Sequence, residues 1–148
     1  VKRGASYAVA SDIDAESIRV SKINGNNNRM GRTVRFLTAT GTKSAIIQAQ
    51  APYDTIFANI LARPLIGLSG DIAKVLRPGG AVILSGLLTH QEPSVRAAFN
   101  GRGLVLTDRI HKDGWSTLTY VKPKAKPVKK TPSLLADLKA LMRAVDAD

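Results

Sequence analysis

Asn59 closes a short, mostly apolar run, Thr55-Ile56-Phe57-Ala58, and is followed by Ile60, Leu61 and Pro64. Such a partly β-branched run reads as a strand buried on both faces. An amide at the carboxyl end of a buried strand stands where open α/β sheets bind their ligands. Its oxygen, with nearby backbone carbonyls, can orient the N–H groups of an amine without acting as a strong base. Asp12 suggests a second chemistry, because it ends an earlier apolar run. A carboxylate there can accept two hydrogen bonds at once, as ribose hydroxyls require. The other reading is that Asp12 and Asp14 both cap the helix that follows. Asp14 fits the cap better, with Glu16 favourably placed in the first turn.

Few other residues offer chemistry. His90 and His111 have no metal-ligand spacing around them and read as surface or loop residues. Ser85 lies in Leu84-Ser85-Gly86, without the Gly-x-Ser-x-Gly frame of a nucleophile elbow. Trp115 reads as a core or edge anchor before it reads as a substrate platform. The absence of cysteine excludes disulfides and thiolate metal sites, and it fits a reducing cytoplasm.

Strands and helices must alternate to position these residues. A strand over 5–11 leads to a helix from Ala15, expected to fray at Gly25 and the asparagines after it. Residues 34–38 form the next strand, and 40–50 read as a loop with one helical turn. After the Asn59 strand, a helix over 66–76 ends at Arg77-Pro78-Gly79-Gly80, a stop and turn signal. Residues 81–85 make another buried strand, and 93–100 a helix closed by Gly101-Arg102-Gly103. Strands over 104–110 and 115–121 flank Asp113-Gly114, a good hairpin signal. This order predicts an open α/β sheet with one antiparallel member.

With 148 residues, 44% of them hydrophobic, the chain can form one domain with a real core. Its longest apolar stretches fall far short of a membrane span. The net charge is +11. Residues 122–148 hold 7 of the 22 Lys and Arg and 3 of the 11 acids, leaving +7 on the body and +4 on this tail. Such a surface attracts RNA, ribosomal particles or acidic partners, or else serves only solubility. The tail begins as a Lys/Pro-rich linker. From Thr131-Pro132 it reads as a helix with Leu134, Leu135, Leu138, Leu141, Met142 and Val145 on one face. Two units are therefore expected, 1–121 and 122–148.

Several stretches together resemble a known family. They are Asp12-Ile13-Asp14, the run from Phe57 through Asn59-Ile60-Leu61-Ala62 to Pro64-Leu65, and Leu76-x-Pro78-Gly79-Gly80. Ile83-Leu84-Ser85-Gly86-Leu87-Leu88, Gln91 and Gly114-Trp115-x-Thr117-Leu118 follow in the same order. Over about residues 3–121 the chain resembles the carboxyl-terminal part of the catalytic domain of the ribosomal protein L-eleven methyltransferase family, the PrmA type. The resemblance implies a Rossmann-like, class I S-adenosylmethionine-dependent methyltransferase sheet. It implies an enzyme that methylates amino groups of a large-subunit ribosomal protein. The lysine-rich tail extends past the family's usual end; from its charge weak RNA contact is expected, and from composition a cytoplasmic chain with no membrane.

Site residues follow from the same resemblance. Asp12 matches the acid that holds the cofactor ribose, with Ile13 beside the adenine. Thr40 and Gly41 fall where such folds approach the adenine edge, although the acid usual there is absent. Asn59 matches the residue beside the methyl donor, and Ile60 and Leu61 line the approach of the amine. The family's glycine-rich first strand and turn would precede Val1, so the chain is expected to be a fragment lacking them. Other function classes stay open at this point. One is a non-catalytic basic module binding ribosomal RNA or protein, and another is a nucleic-acid methyltransferase on the shared fold.

Overall fold

The computed structural model describes residues 4–124, in which strands and helices alternate in the expected order. Strand β1 (Ala8–Asp12) leads through helix α1 (Ala15–Asn27) to β2 (Val34–Thr38). Helix α2 (Ala45–Ala49), strand β3 (Tyr53–Asn59) and helix α3 (Ala62–Val75) follow. Strand β4 (Leu76–Leu88), helix α4 (Glu92–Asn100) and strands β5 (Val105–Lys112) and β6 (Trp115–Val121) complete the order. The 122–148 tail, with its expected linker and helix, lies outside the described residues from 125 onward.

Local sequence accounts for most boundaries. Asp14 caps α1, accepting from the backbone N–H groups of Glu16 at 3.2 Å and Ser17 at 2.9 Å. The helix does not fray at Gly25 but continues to Asn27. Gly25 is buried, and a Cβ there would meet the ring of Phe36 at 2.8 Å. Glycine is therefore tolerated in this helix because it lets α1 lie close on β2. Asp113 and Gly114 both have positive φ, 50° and 81°, as a two-residue hairpin turn between twisted strands requires.

The strands form two sheets. In one, β1 and β2 run parallel, with Ala8 opposite Val34 and Asp12 opposite Thr38. In the other the order is β3-β4-β6-β5, with β3 and β4 parallel and β6 antiparallel to both its neighbours. Among the described residues no strand joins β1 to β3. The halves touch where Gly41, after β2, abuts Leu68 of α3.

The main core fills one face of the four-stranded sheet beneath α3 and α4. Leu65, Val82, Leu84, Val95, Leu118 and Tyr120 are completely buried in it, and Phe99 stacks at a tilt on Tyr120 with ring centres 5.4 Å apart. Three local expectations change. Helix α3 starts at Ala62, four residues earlier than periodicity suggested, so Pro64 falls inside its first turn. Arg77-Pro78-Gly79-Gly80 ends that helix as expected, but as an excursion within β4, since Tyr53 pairs with Leu76 and Thr55 with Ala81. Lys122, expected in a solvated linker, instead donates from Nζ to the carbonyls of Ala73 and Leu76, both at 2.7 Å. A cation there satisfies carbonyls at the end of α3.

Candidate active site

Asn59 is the last residue of β3 and pairs with Ser85 of β4. The strand ends there, and α3 begins with Leu61 at its N-cap position, without a side-chain cap. Asn59 is exposed, as are Ile60 at 39% and Leu61 at 76%. A polar amide is therefore presented at a strand end and followed by two uncovered apolar side chains. Beside it β4 makes room. Gly86 has φ +73°, and a Cβ on it would lie inside contact distance of Asn59 Oδ1 and 3.4 Å from its Cγ.

The residues expected to meet a nucleoside gather at the end of the β1–β2 pair. Asp12 accepts the Asp14 N–H at 3.0 Å through Oδ1, and its carbonyl accepts the Ala39 N–H at 2.9 Å. Its second carboxylate oxygen takes no hydrogen bond among the described residues. Asp14 is engaged differently. The Ser17 hydroxyl at 2.7 Å and the first N–H groups of α1 hold its carboxyl below the ordinary range. Asp14 therefore caps the helix, as its position suggested, while one carboxylate oxygen of Asp12 stays without a hydrogen bond among the described residues. Ile13, next to it, is 73% exposed.

Thr40 is exposed on the loop after β2, and Gly41 has φ +58°. A Cβ at Gly41 would meet Leu68 Cδ2 of α3 at 2.5 Å. The fold therefore brings the β2 loop against α3 at Leu68, in the helix that follows Asn59. A surface hollow lined by Ser21, Asn24, Met30 and Phe36 contains none of them. Among the described residues no cluster of acids and histidines could hold a metal ion, and no helix is long and apolar enough to cross a membrane.

Sequence reasoning missed a buried carboxylate. Glu92, 4% exposed at the start of α4, accepts from Ser116 Oγ at 3.0 Å and Arg109 Nη1 at 3.3 Å. His111 Nε2 lies 2.6 Å from Oε2, the oxygen that also accepts from Ser116, and Arg96 Nη1 is 3.5 Å from Oε1. Burial is the largest influence on Glu92 and pushes its pKa up. The hydrogen bonds from His111, Ser116 and Arg109 together outweigh it and leave the carboxyl below its ordinary range. His111 is thus half exposed yet tied to the interior, which its flanking sequence does not disclose. Trp115 is not a core anchor: it is 51% exposed and pairs with Leu88, near the end of β4.

The chain is similar to several known proteins. The family model described as Ribosomal protein L11 methyltransferase (PrmA) matches residues 1–123. A "Ribosomal protein L11 methyltransferase" of Caulobacter sp. (strain K31) is 48% identical over 122 residues, covering 82% of this chain and 42% of that protein. One from Bradyrhizobium diazoefficiens is 48% identical over 114 residues, covering 77% and 39%. The chain therefore spans about two fifths of the length of these curated relatives. Among solved structures, ribosomal protein L11 methylase from Lactobacillus delbrueckii subsp. bulgaricus superposes with TM-score 0.75 at 24% identity. It covers 82% of this chain and 61% of that one, a likeness of fold.

Proposed function

Because the chain belongs to the ribosomal protein L11 methyltransferase family, we propose that it supplies the catalytic strand ends of an S-adenosylmethionine-dependent protein N-methyltransferase. The substrate in this reading is a set of amino groups on a large-subunit ribosomal protein, L11 in the relatives' name. The observation that carries it is the exposed Asn59 amide at the end of β3, followed by exposed Ile60 and Leu61. The residues fit the cofactor: Asp12 has a carboxylate oxygen to offer ribose hydroxyls, and Ile13 offers an exposed apolar side chain to an adenine ring. Thr40 and Gly41 would border the same ring.

When bound, S-adenosylmethionine supplies a methyl group already activated as a sulfonium. The chain's own residues then have mainly to align an amine. Asn59 accepts from the amine N–H groups and fixes the direction of its lone pair. Ile60 and Leu61 strip water from an approaching lysine, and desolvation lowers the pKa of an ammonium and favours the neutral amine. No strong base is required of the protein for that step. We assign the basic stretch 122–148, beyond the catalytic unit 1–121, to weak electrostatic attraction toward ribosomal RNA. The setting proposed is the cytoplasm.

The test uses the full-length Caulobacter relative with residues 1–123 in place of its matching stretch. Asn59→Ala should lower single-turnover transfer to isolated ribosomal protein on the order of 10- to 100-fold, because misalignment costs rate before affinity. Cofactor affinity should change less, about 3-fold at most on the same ground. Unchanged transfer removes Asn59 from the reaction. Methyl incorporation into ribosomal RNA rather than protein overturns the substrate assignment.

A further inference from the structure

Strand β4 carries an irregularity that Asn59 uses. Its pairing with β6 runs Leu84 with Leu118 and then Leu87 with Ser116, so Ser85 and Gly86 together face Thr117. This is a β-bulge, one extra residue in one strand, and such bulges re-aim side chains beside functional sites. The bulge falls where β3 ends, since Asn59 with Ser85 is the final pair between β3 and β4.

The extra residue has two consequences. It returns Leu87 to the core, where Leu84 and Leu87 are both fully buried although three positions apart. It also places Gly86, at φ +73°, with its Cα hydrogens against the Asn59 carboxamide. The left-handed backbone explains part of the glycine requirement. It does not explain the closeness. Gly103 has nearly the same φ, +74°, and a Cβ there would meet nothing within 4 Å. A Cβ on Gly86 would displace Asn59 Oδ1 and crowd its Cγ at 3.4 Å.

We infer that Gly86 is a positioning residue for methyl transfer: the missing side chain at the β4 bulge sets the rotamer of the Asn59 amide. Its catalytic consequence rests on the reading of Asn59 given above, while the contact itself does not. A methyl group at 86 would push the amide to another rotamer and leave strand pairing in place. The amine would then be held at the wrong angle, and small misplacements of this kind cost rate steeply.

The experiment again uses the Caulobacter relative carrying residues 1–123. Gly86→Ala, Gly103→Ala, Asn59→Ala and the Gly86→Ala/Asn59→Ala pair are compared by melting temperature and by kcat and KM. Gly103→Ala measures the cost of a side chain at positive φ without a contact. Gly86→Ala is expected to lower Tm by several degrees more than Gly103→Ala, and that excess should vanish when Asn59 is already alanine. Its kcat should fall by about 10-fold or more, with KM for the cofactor little changed. Gly103→Ala should leave both constants as they were. Equal Tm losses at 86 and 103, or an excess that persists without the Asn59 amide, would mean that Gly86 serves the bulge alone. A strong coupling in Tm with an unaltered kcat would overturn the positioning role. A normal rate in Asn59→Ala would instead strike the function assigned to Asn59, with the Tm coupling still deciding the contact.

Discussion

At the scale of single residues, Asp12 and Asp14 make the sharpest contrast. They are two positions apart, both exposed, yet only Asp14 takes up the donors of the first turn of α1. Asp14→Ala should therefore lower the melting temperature and leave nucleoside affinity nearly unchanged. Asp12→Ala should do the reverse, weakening cofactor binding by about 10-fold or more, the usual loss for a hydrogen bond to a charged acceptor. Calorimetric titration and thermal melts of the two variants in the full-length background check this, and identical behaviour of the two would refute the division. The cap was legible in the sequence because capping acts over three residues of chain. Gly86 and Glu92 were not. Gly86 matters because of Asn59, 27 positions earlier, and Glu92 because of donors on β5 and β6, 17 to 24 positions later. Nothing within a short window marks either residue.

Whole elements were most readable where local chemistry sets both ends. Strand β2 spans the expected residues, and the Asp113-Gly114 hairpin forms as its residue types demand. Tertiary contact decided the rest, as where Phe36 lets α1 run past Gly25. The Glu92 cluster is another such contact, since it fastens α4 to the β5–β6 hairpin and so holds Trp115 near the end of β4. Its energetics can be tested by pH. The folded-state pKa of Glu92 lies below its ordinary value of 4.5. The ionised carboxylate therefore contributes stability above the unfolded-state pKa, and this is lost as pH falls through the folded-state value. Arg109 and His111 are about half exposed, so water screens part of the interaction. Glu92→Gln is expected to cost about 1–3 kcal/mol near neutral pH, the range for leaving a buried hydrogen-bonding group unsatisfied. Below pH 4.5 the gap between variant and parent should narrow. Urea titrations across this window measure it, and a gap independent of pH would show that packing, rather than the carboxylate charge, holds the helix.

For the whole molecule the decisive feature is the break between the two sheets. Strand β1 pairs with β2 and β3 with β4, and among the described residues neither has a partner on its other edge. Phe57 of β3 is 75% exposed, a large apolar side chain without cover in the middle of a strand that reads as buried on both faces. Unpaired strand edges and an open apolar face are costly and invite association. A strand placed between β1 and β3 would satisfy both edges. A glycine-rich turn after it would bring backbone N–H groups to a cofactor lying between Asp12 and Asn59, where donors of that kind hold anionic and polar groups. Residues 1–148 alone are accordingly expected to bind S-adenosylmethionine at least 10-fold more weakly than the Caulobacter relative carrying residues 1–123, about 1.4 kcal/mol or more. They should also sediment as mixed associated species, since an exposed edge recruits other edges. Calorimetric titration and sedimentation velocity on the two proteins make the comparison. Equal affinity, with a monodisperse 148-residue chain, would mean that Asp12, Ile13 and the Asn59 strand end form a sufficient site without a strand between them.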